Sequence, residues 1–217
     1  MASHFIQRQW RENRGLILFL ALMFVFRSAF ADWNSVPTGS MLPTIVEGDR
    51  ILVNKMAYDI RVPFSQISII KLGDPKRGDI IVFESEAADK RLVKRVVGLP
   101  GDTIAMQDNQ LFINGKKIAL QFANETEQTR IYQEALTTQP HLIQLAPRSS
   151  PLASFTAVQV PTDSFLALGD NRDNSADSRV IGFVPRHEII GRTRQVVLSF
   201  DYQNYYLPRQ DRFLKTL

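Results

Sequence analysis

The amino-acid sequence predicts a mostly β protein: an antiparallel β-sheet domain with an inserted subdomain, preceded by one N-terminal transmembrane helix. Three observations carry this. Short stretches rich in Val, Ile and Phe recur between turn residues at Arg50–Asn54, Asp79–Phe83, Leu92–Val97, Thr103–Met106, Leu111–Asn114, Ser164–Leu168 and Thr193–Phe200, the pattern of strands. Asn114-Gly115 stands between Leu111–Ile113 and Lys116–Ile118, and this pair suits a two-residue hairpin loop in which both positions need positive φ. Beyond the N-terminus helical signal is weak, with Glu134–Leu136 too short to count and Ser65–Ile70 ambiguous.

Taken in order, residues 1–14 hold Arg8, Arg11 and Arg14 against Glu12, and Gly15–Phe26 is apolar or glycine throughout. With Arg27 these residues carry +3 of the chain's formal +4; the rest balances 22 basic (26 less 4) against 21 acidic side chains (22 less 1). A spanning helix needs ~20 residues, so the span becomes 15–33 only if Arg27 snorkels and Phe30 and Trp33 reach the far interface. Two readings stay open on hydropathy. A basic n-region, a short apolar core and Ala29-Phe30-Ala31 fit a cleavable signal peptide, which hydropathy slightly favours; a retained anchor with its arginines on the cytoplasmic side fits as well. Both put the remainder outside the cytoplasm. Residues 34–110 and 163–203 form the sheet domain. Residues 111–162, with a Gln-, Thr- and Ser-rich texture and Pro140, Pro147 and Pro151, read as an inserted subdomain. Residues 204–217 read as a solvated basic tail.

Composition excludes several chemistries. The 217 residues include no cysteine, which removes disulfides, thiolate metal sites and cysteine nucleophiles. His4, His141 and His187 are too scattered for a metal motif and read as solvated or capping residues. There is no G-x-S-x-G elbow, P-loop or dinucleotide fingerprint. The near-neutral exported part, without a helix-turn-helix or zinc finger, argues against a nucleic-acid partner.

Three stretches stand out. In Val36-Pro-Thr-Gly-Ser-Met-Leu-Pro-Thr-Ile45, Ser40 follows Gly39 in a Pro-bounded loop with apolar residues on both sides; in isolation such a serine is most simply a turn hydroxyl. In Arg91-Leu-Val-Lys-Arg-Val-Val-Gly-Leu-Pro-Gly-Asp102, strand alternation puts Lys94 between Leu92 and Val96 on one face, where burying an ammonium is costly. Gly169-Asp-Asn-Arg-Asp-Asn-Ser-Ala-Asp-Ser-Arg179 is almost wholly polar between apolar strands and reads either as a solvated loop or as an interlocked network around a site.

Together these stretches, with Gly48-Asp-Arg-Ile-Leu-Val-Asn-Lys55, Arg77-Gly-Asp-Ile-Ile-Val-Phe83 and Gly182-Phe-Val-Pro185, resemble the bacterial type I signal peptidases, the membrane-anchored Ser–Lys endopeptidases of the leader peptidase family. The resemblance covers roughly residues 15–110 and 164–201; the stretch 116–160 lies outside it. It implies Ser40 as nucleophile, Lys94 as general base, and an oxyanion hole made of the Ser40 N–H and the Thr38 hydroxyl. It also implies that Ser175 orients Lys94, that Asp177 and Arg179 form a supporting ion pair, and that Arg95 supports the site while pointing away from Ser40. Val36, Met41, Ile45 and Val93 would form the small apolar pockets that select Ala-x-Ala before the scissile bond. No metal or cofactor is implied.

The implied partners are signal-peptide-bearing pre-proteins, the lipid bilayer and the secretion translocon. The implied location is the bacterial inner membrane, single-pass, with a cytoplasmic N-terminus and an extracytoplasmic catalytic domain. The family retains its span, which reverses the hydropathy preference, with self-cleavage near Ala31 left open. The alternatives are a specialised conjugative-transfer Ser–Lys processing peptidase, and a silent membrane-tethered scaffold.

Overall fold

The computed structural model describes residues 2–217 apart from Gln66 and Ser149, with backbone alone at residues 2–9, Glu12, Phe26 and Ala29. The His4 side chain therefore lies outside the described residues. The chain begins with helix α1 (Ala2–Ala29), followed by β1 (Ala31–Ser35), β2 (Asp49–Asn54), β3 (Asp59–Arg61), β4 (Ser68–Lys71), β5 (Ile80–Ser85) and β6 (Lys90–Gly98). A second group follows: β7 (Thr103–Gln107), β8 (Gln110–Ile113), β9 (Lys116–Lys117), β10 (Leu120–Glu125), β11 (Arg130–Glu134), β12 (His141–Leu145) and β13 (Phe155–Gln159). The chain then returns through β14 (Ser164–Leu168), the short helix α2 (Ser178–Ile181), β15 (Val184–Pro185), β16 (Ile189–Asp201) and β17 (Leu207–Pro208).

The main sheet is antiparallel, ordered β1-β2-β16-β5-β6-β14-β15, with β17 paired to β16. Its central strand β5 is buried on both faces. Ile80 and Val82 join a cluster with Val36, Met41, Ile45, Ile51 and Val53, while Ile81 and Phe83 join Tyr58, Val96, Phe165 and Ile189. A strand covered on both sides reads as a continuous apolar run, which is what Ile80–Phe83 is. A second sheet, β13-β7-β8-β9, and a third, β10-β11-β12, make up the inserted part. Val97, Leu166 and Leu168 from the main sheet pack with Ile104, Met106, Leu111 and Ile113. The Asn114-Gly115 hairpin has φ of 52° and 76°, as its residues require.

Three differences from the sequence reading have physical causes. The second sheet starts at Thr103, ahead of the 111 boundary, because β7 pairs with β8 and β13. The C-terminal run is docked: Arg212 is buried on Asp49 (Nη2–Oδ2 2.6 Å) and donates to the Thr44 carbonyl, so its charge finds a partner inside the fold. At the other end, α1 stops at Ala29 and residues 31–35 become an edge strand of the main sheet. No helix among the described residues is long and apolar enough to cross a membrane.

Candidate active site

Ser40 lies in a single 3-10 turn, Gly39–Met41, between β1 and β2. Lys94 lies in the middle of β6, and strand direction brings its Nζ to 2.8 Å from Ser40 Oγ and 3.0 Å from the Val93 carbonyl oxygen. Lys94 is 2% exposed. Burial, the largest influence, lowers its pKa from 10.5 to about 8, against the opposing pull of the Asp177 and Asp170 carboxylates. A depressed lysine holds a usable fraction of neutral amine near neutrality, and a neutral amine beside a hydroxyl can accept its proton.

The polar loop after β14 supports this pair from below. Asp170 receives a two-pronged bond from Arg95, Nε–Oδ1 2.8 Å and Nη2–Oδ2 2.7 Å, and also a bond from Thr44 Oγ1. Asn171 donates from its backbone to the Ser40 carbonyl (3.1 Å) and from Nδ2 to the Gly39 carbonyl (3.0 Å). Asp177 caps α2, takes both prongs of Arg179, and accepts from the Gly169 N–H. Only glycine fits at 169, where a Cβ would stand 2.3 Å from Ser175 Oγ and 2.5 Å from the Ser40 carbonyl oxygen.

A cleft of about 790 Å³ opens over Ser40 and Lys94, lined by Trp33–Met41 on one side and Lys90–Lys94 on the other. Both sides present strand edges. Among the described residues β1 pairs only with β2, and β6 pairs with β14 only over residues 95–98. The main sheet curls far enough that Arg91 of β6 donates to Asn34 of β1 at 3.2 Å.

The structure brings together Ser40, Thr38, Lys94, Val36, Met41 and Val93 around this cleft. Ile45 is fully buried and packs behind Val36 and Met41 rather than lining it. Arg95 is directed to Asp170, and Asp177 and Arg179 are paired. Ser175 is a correction. Its Oγ is buried without a hydrogen-bond partner among the described residues, because it packs on Gly169 while Lys94 Nζ is directed to Ser40 and Val93.

His141 is a second correction. It is half-buried between Glu134 and Asp170, where desolvation and the nearby Arg95 charge hold its pKa down at about 4. Spacing also hid one grouping: Glu86, His187 and Glu188 place ligand-capable atoms within 4.8 Å of one another, with Glu86 and His187 exposed. Sequence reasoning assigned no role to Thr44, Glu134, Asp170, Asn171 or Arg172. The density of charge in residues 169–179 was the only signal for Asp170, Asn171 and Arg172.

A hydroxyl held by a desolvated amine, in a cleft open along two strand edges, is the arrangement of a serine peptidase that works with lysine in place of histidine. The sequence model of the family described as "Signal peptidase, peptidase S26" matches residues 9–198. Signal peptidase I of Pseudomonas aeruginosa is 37% identical over 200 residues, covering 85% of this chain and 70% of that protein. The enzyme of that name from Pseudomonas fluorescens is 37% identical over 205 residues, with the same shares covered. Signal peptidase I P of Bacillus subtilis subsp. natto is 31% identical over 189 residues, covering 87% and 88%. A crystal structure of a signal peptidase I from Enterococcus faecalis aligns at 29% identity with a TM-score of 0.37, over 56% of this chain and 98% of that one. The chain belongs to the S26 signal peptidase family.

Proposed function

We propose that this chain removes signal peptides from exported pre-proteins, with Ser40 as nucleophile and Lys94 as its general base. Neutral Lys94 takes the Ser40 proton as Oγ bonds to the scissile carbonyl carbon. The C–N bond then breaks, the proton passes from Lys94 to the leaving amine, and water hydrolyses the acyl-serine through the same amine. The carrying observation is the 2.8 Å contact between Ser40 Oγ and the amine of Lys94, a residue that is 2% exposed. The Ser40 N–H and the Thr38 hydroxyl receive the developing oxyanion. In support, Thr38 is exposed in the cleft in an extended conformation two residues before Ser40. Such a donor is worth about 3–4 kcal/mol.

Substrate enters as an extended strand between β1 and β6, which supplies main-chain hydrogen bonds from two open edges. Alternate side chains then face the same floor, so the first and third residues before the bond meet Val36, Met41 and Val93, with Ile45 closing the space behind. That floor suits alanine. Asp177 and Arg179 hold the loop, and Arg95 fixes Asp170.

Helix α1 tethers the domain to the extracytoplasmic face of the bacterial inner membrane, its basic N-terminus in the cytoplasm, where pre-proteins emerge from the translocon. Its apolar run covers about 18 Å at 1.5 Å per residue, less than the ~30 Å hydrocarbon core, so other groups must complete the membrane contact. Leu16, Leu18, Phe19, Leu22 and Phe24 are exposed, and so are Phe64, Ile67, Ile69, Ile70 and Leu72 around the β3–β4 hairpin, which Phe64 N ties to Ser28 Oγ at 2.6 Å. Ala31 is paired with Asn54, and the Phe30 carbonyl accepts from Lys55 N, which favours retention over self-cleavage at Ala29-Phe30-Ala31.

Ser40→Ala and Lys94→Met each abolish processing of an Ala-x-Ala pre-protein in detergent while the protein stays folded. Turnover by either within tenfold of wild type overturns the assignment. N-terminal sequencing of membrane-purified protein starts at Met1 or Ala2; a start at Asp32 overturns the tether.

A further inference from the structure

We propose that the inserted subdomain positions the nucleophile through the buried ion pair Glu134–Arg172, which makes Glu134 a positioning residue for Ser40 and Lys94. This rests on the catalytic reading above. Glu134 is 0% and Arg172 1% exposed, and Arg172 Nη2 meets Glu134 Oε2 at 2.5 Å. Glu134 belongs to β11 of the insert, whereas Arg172 belongs to the loop beneath Ser40.

The loop is the middle layer of three. On its outer side β12 grips it, Gln144 N donating to the Asp170 carbonyl (2.8 Å) and Arg172 N to the Gln144 carbonyl (3.0 Å). On its inner side Asn171 holds the Gly39 and Ser40 carbonyls. Arg179 Nη2 donates to the Arg172 carbonyl (2.6 Å), which ties the same residue to the Asp177 pair. His141 fills the space between Glu134 Oε2 (3.5 Å) and Asp170 Oδ1 (3.8 Å). An unbroken set of polar contacts therefore runs from the insert to the turn that carries the nucleophile.

The pair is poorly suited to stability alone. Glu134 Oε1 and Arg172 Nε and Nη1 have no hydrogen-bond partner among the described residues, and a buried ion pair with unspent hydrogen-bonding capacity is matched or bettered by apolar side chains of similar volume. Apolar side chains cannot fix direction. A charge pair does, and the direction it fixes is that of the loop holding the Ser40 carbonyl.

The test uses the full-length protein in detergent, with wild type, Glu134→Gln and the double variant Glu134→Leu/Arg172→Leu, and three readouts. In the folded variants kcat for an Ala-x-Ala pre-protein falls at least tenfold while KM stays within twofold. The alkaline-rising limb of kcat, set by Lys94 near 8 and faced by Asp177, Arg179, Asp170 and Lys90, moves upward as the loosened loop admits water. Amide hydrogen exchange of residues 36–45 quickens while that of residues 80–85 does not. Wild-type kcat and an unmoved limb in either folded variant overturn the proposal, as does a rise in KM alone or unchanged exchange at 36–45. Exchange that quickens around a wild type unable to cleave the pre-protein would leave this coupling standing and refute the catalytic reading instead.

Discussion

Replacing Lys94 with methionine should make the protein more stable at pH 7 and less stable near pH 10.5. Lys94 titrates near 8 in the fold, against 10.5 for an unburied lysine, and burial is the main cause. That gap corresponds to about 3 kcal/mol disfavouring the charged form. Below pH 8 the side chain is charged in both folded and unfolded chains, so the native state bears the whole penalty. Between pH 8 and 10.5 the folded group loses its proton first, and the penalty fades. Methionine removes the charge with little change of volume. It also removes the bonds from Nζ to Ser40 Oγ and to the Val93 carbonyl, each worth about 1 kcal/mol. The net gain at pH 7 is therefore about 1–2 kcal/mol, and near pH 10.5 only the loss of the bonds remains. Urea denaturation of the full-length protein in detergent at both pH values measures the difference. A variant equally destabilised at pH 7 and pH 10.5 would refute the claim that Lys94 is a desolvated amine.

Other substitutions probe the frame around it. Gly169→Ala drives a Cβ into Ser175 Oγ and the Ser40 carbonyl oxygen; cleavage should fall at least a hundredfold, and near-normal kcat in a soluble variant would contradict the described packing. Asp170→Ala strands the buried Arg95 and frees Thr44, at about 3–5 kcal/mol; a thermal melt shifted by less than a degree would contradict that. Phe64→Ser with Ile67→Ser should weaken binding of the α1-deleted domain to lipid vesicles severalfold if that domain proves to fold alone, and unchanged binding by a folded variant would remove the hairpin from the membrane contact.

What was legible in the sequence follows the physics of each element. Strands such as Ile80–Phe83 were readable because both faces are buried and the run is uninterrupted, and Asn114-Gly115 because positive φ restricts residue choice. The edge strand Ala31–Ser35 was hidden, since a strand of Ala, Asp, Trp, Asn and Ser has no apolar alternation and, among the described residues, is paired on one side only. The strands β10 to β12 were hidden for a related reason: their side chains are largely exposed or half-buried, so little hydrophobic periodicity marks them. At the site, Ser40 and Lys94 were nameable because local motifs surround each. Glu134 was not, because its partner Arg172 is 38 positions away and no spacing rule joins an insert strand to a distant loop. The tail residue Arg212 was missed in the same way, its partner Asp49 being 163 positions earlier.

The central claim is that a lysine amine, made neutral by burial, is the base for Ser40. The pH dependence of single-turnover cleavage of an Ala-x-Ala pre-protein tests it most directly. With Lys94 titrating near 8, the neutral fraction is about one tenth at pH 7 and about nine tenths at pH 9. The rate should therefore rise roughly tenfold over that interval in wild type, and Lys94→Met should show no cleavage at any pH. A rate that is flat from pH 7 to 9, with its limb below pH 6, would identify a histidine or carboxylate base and contradict the account.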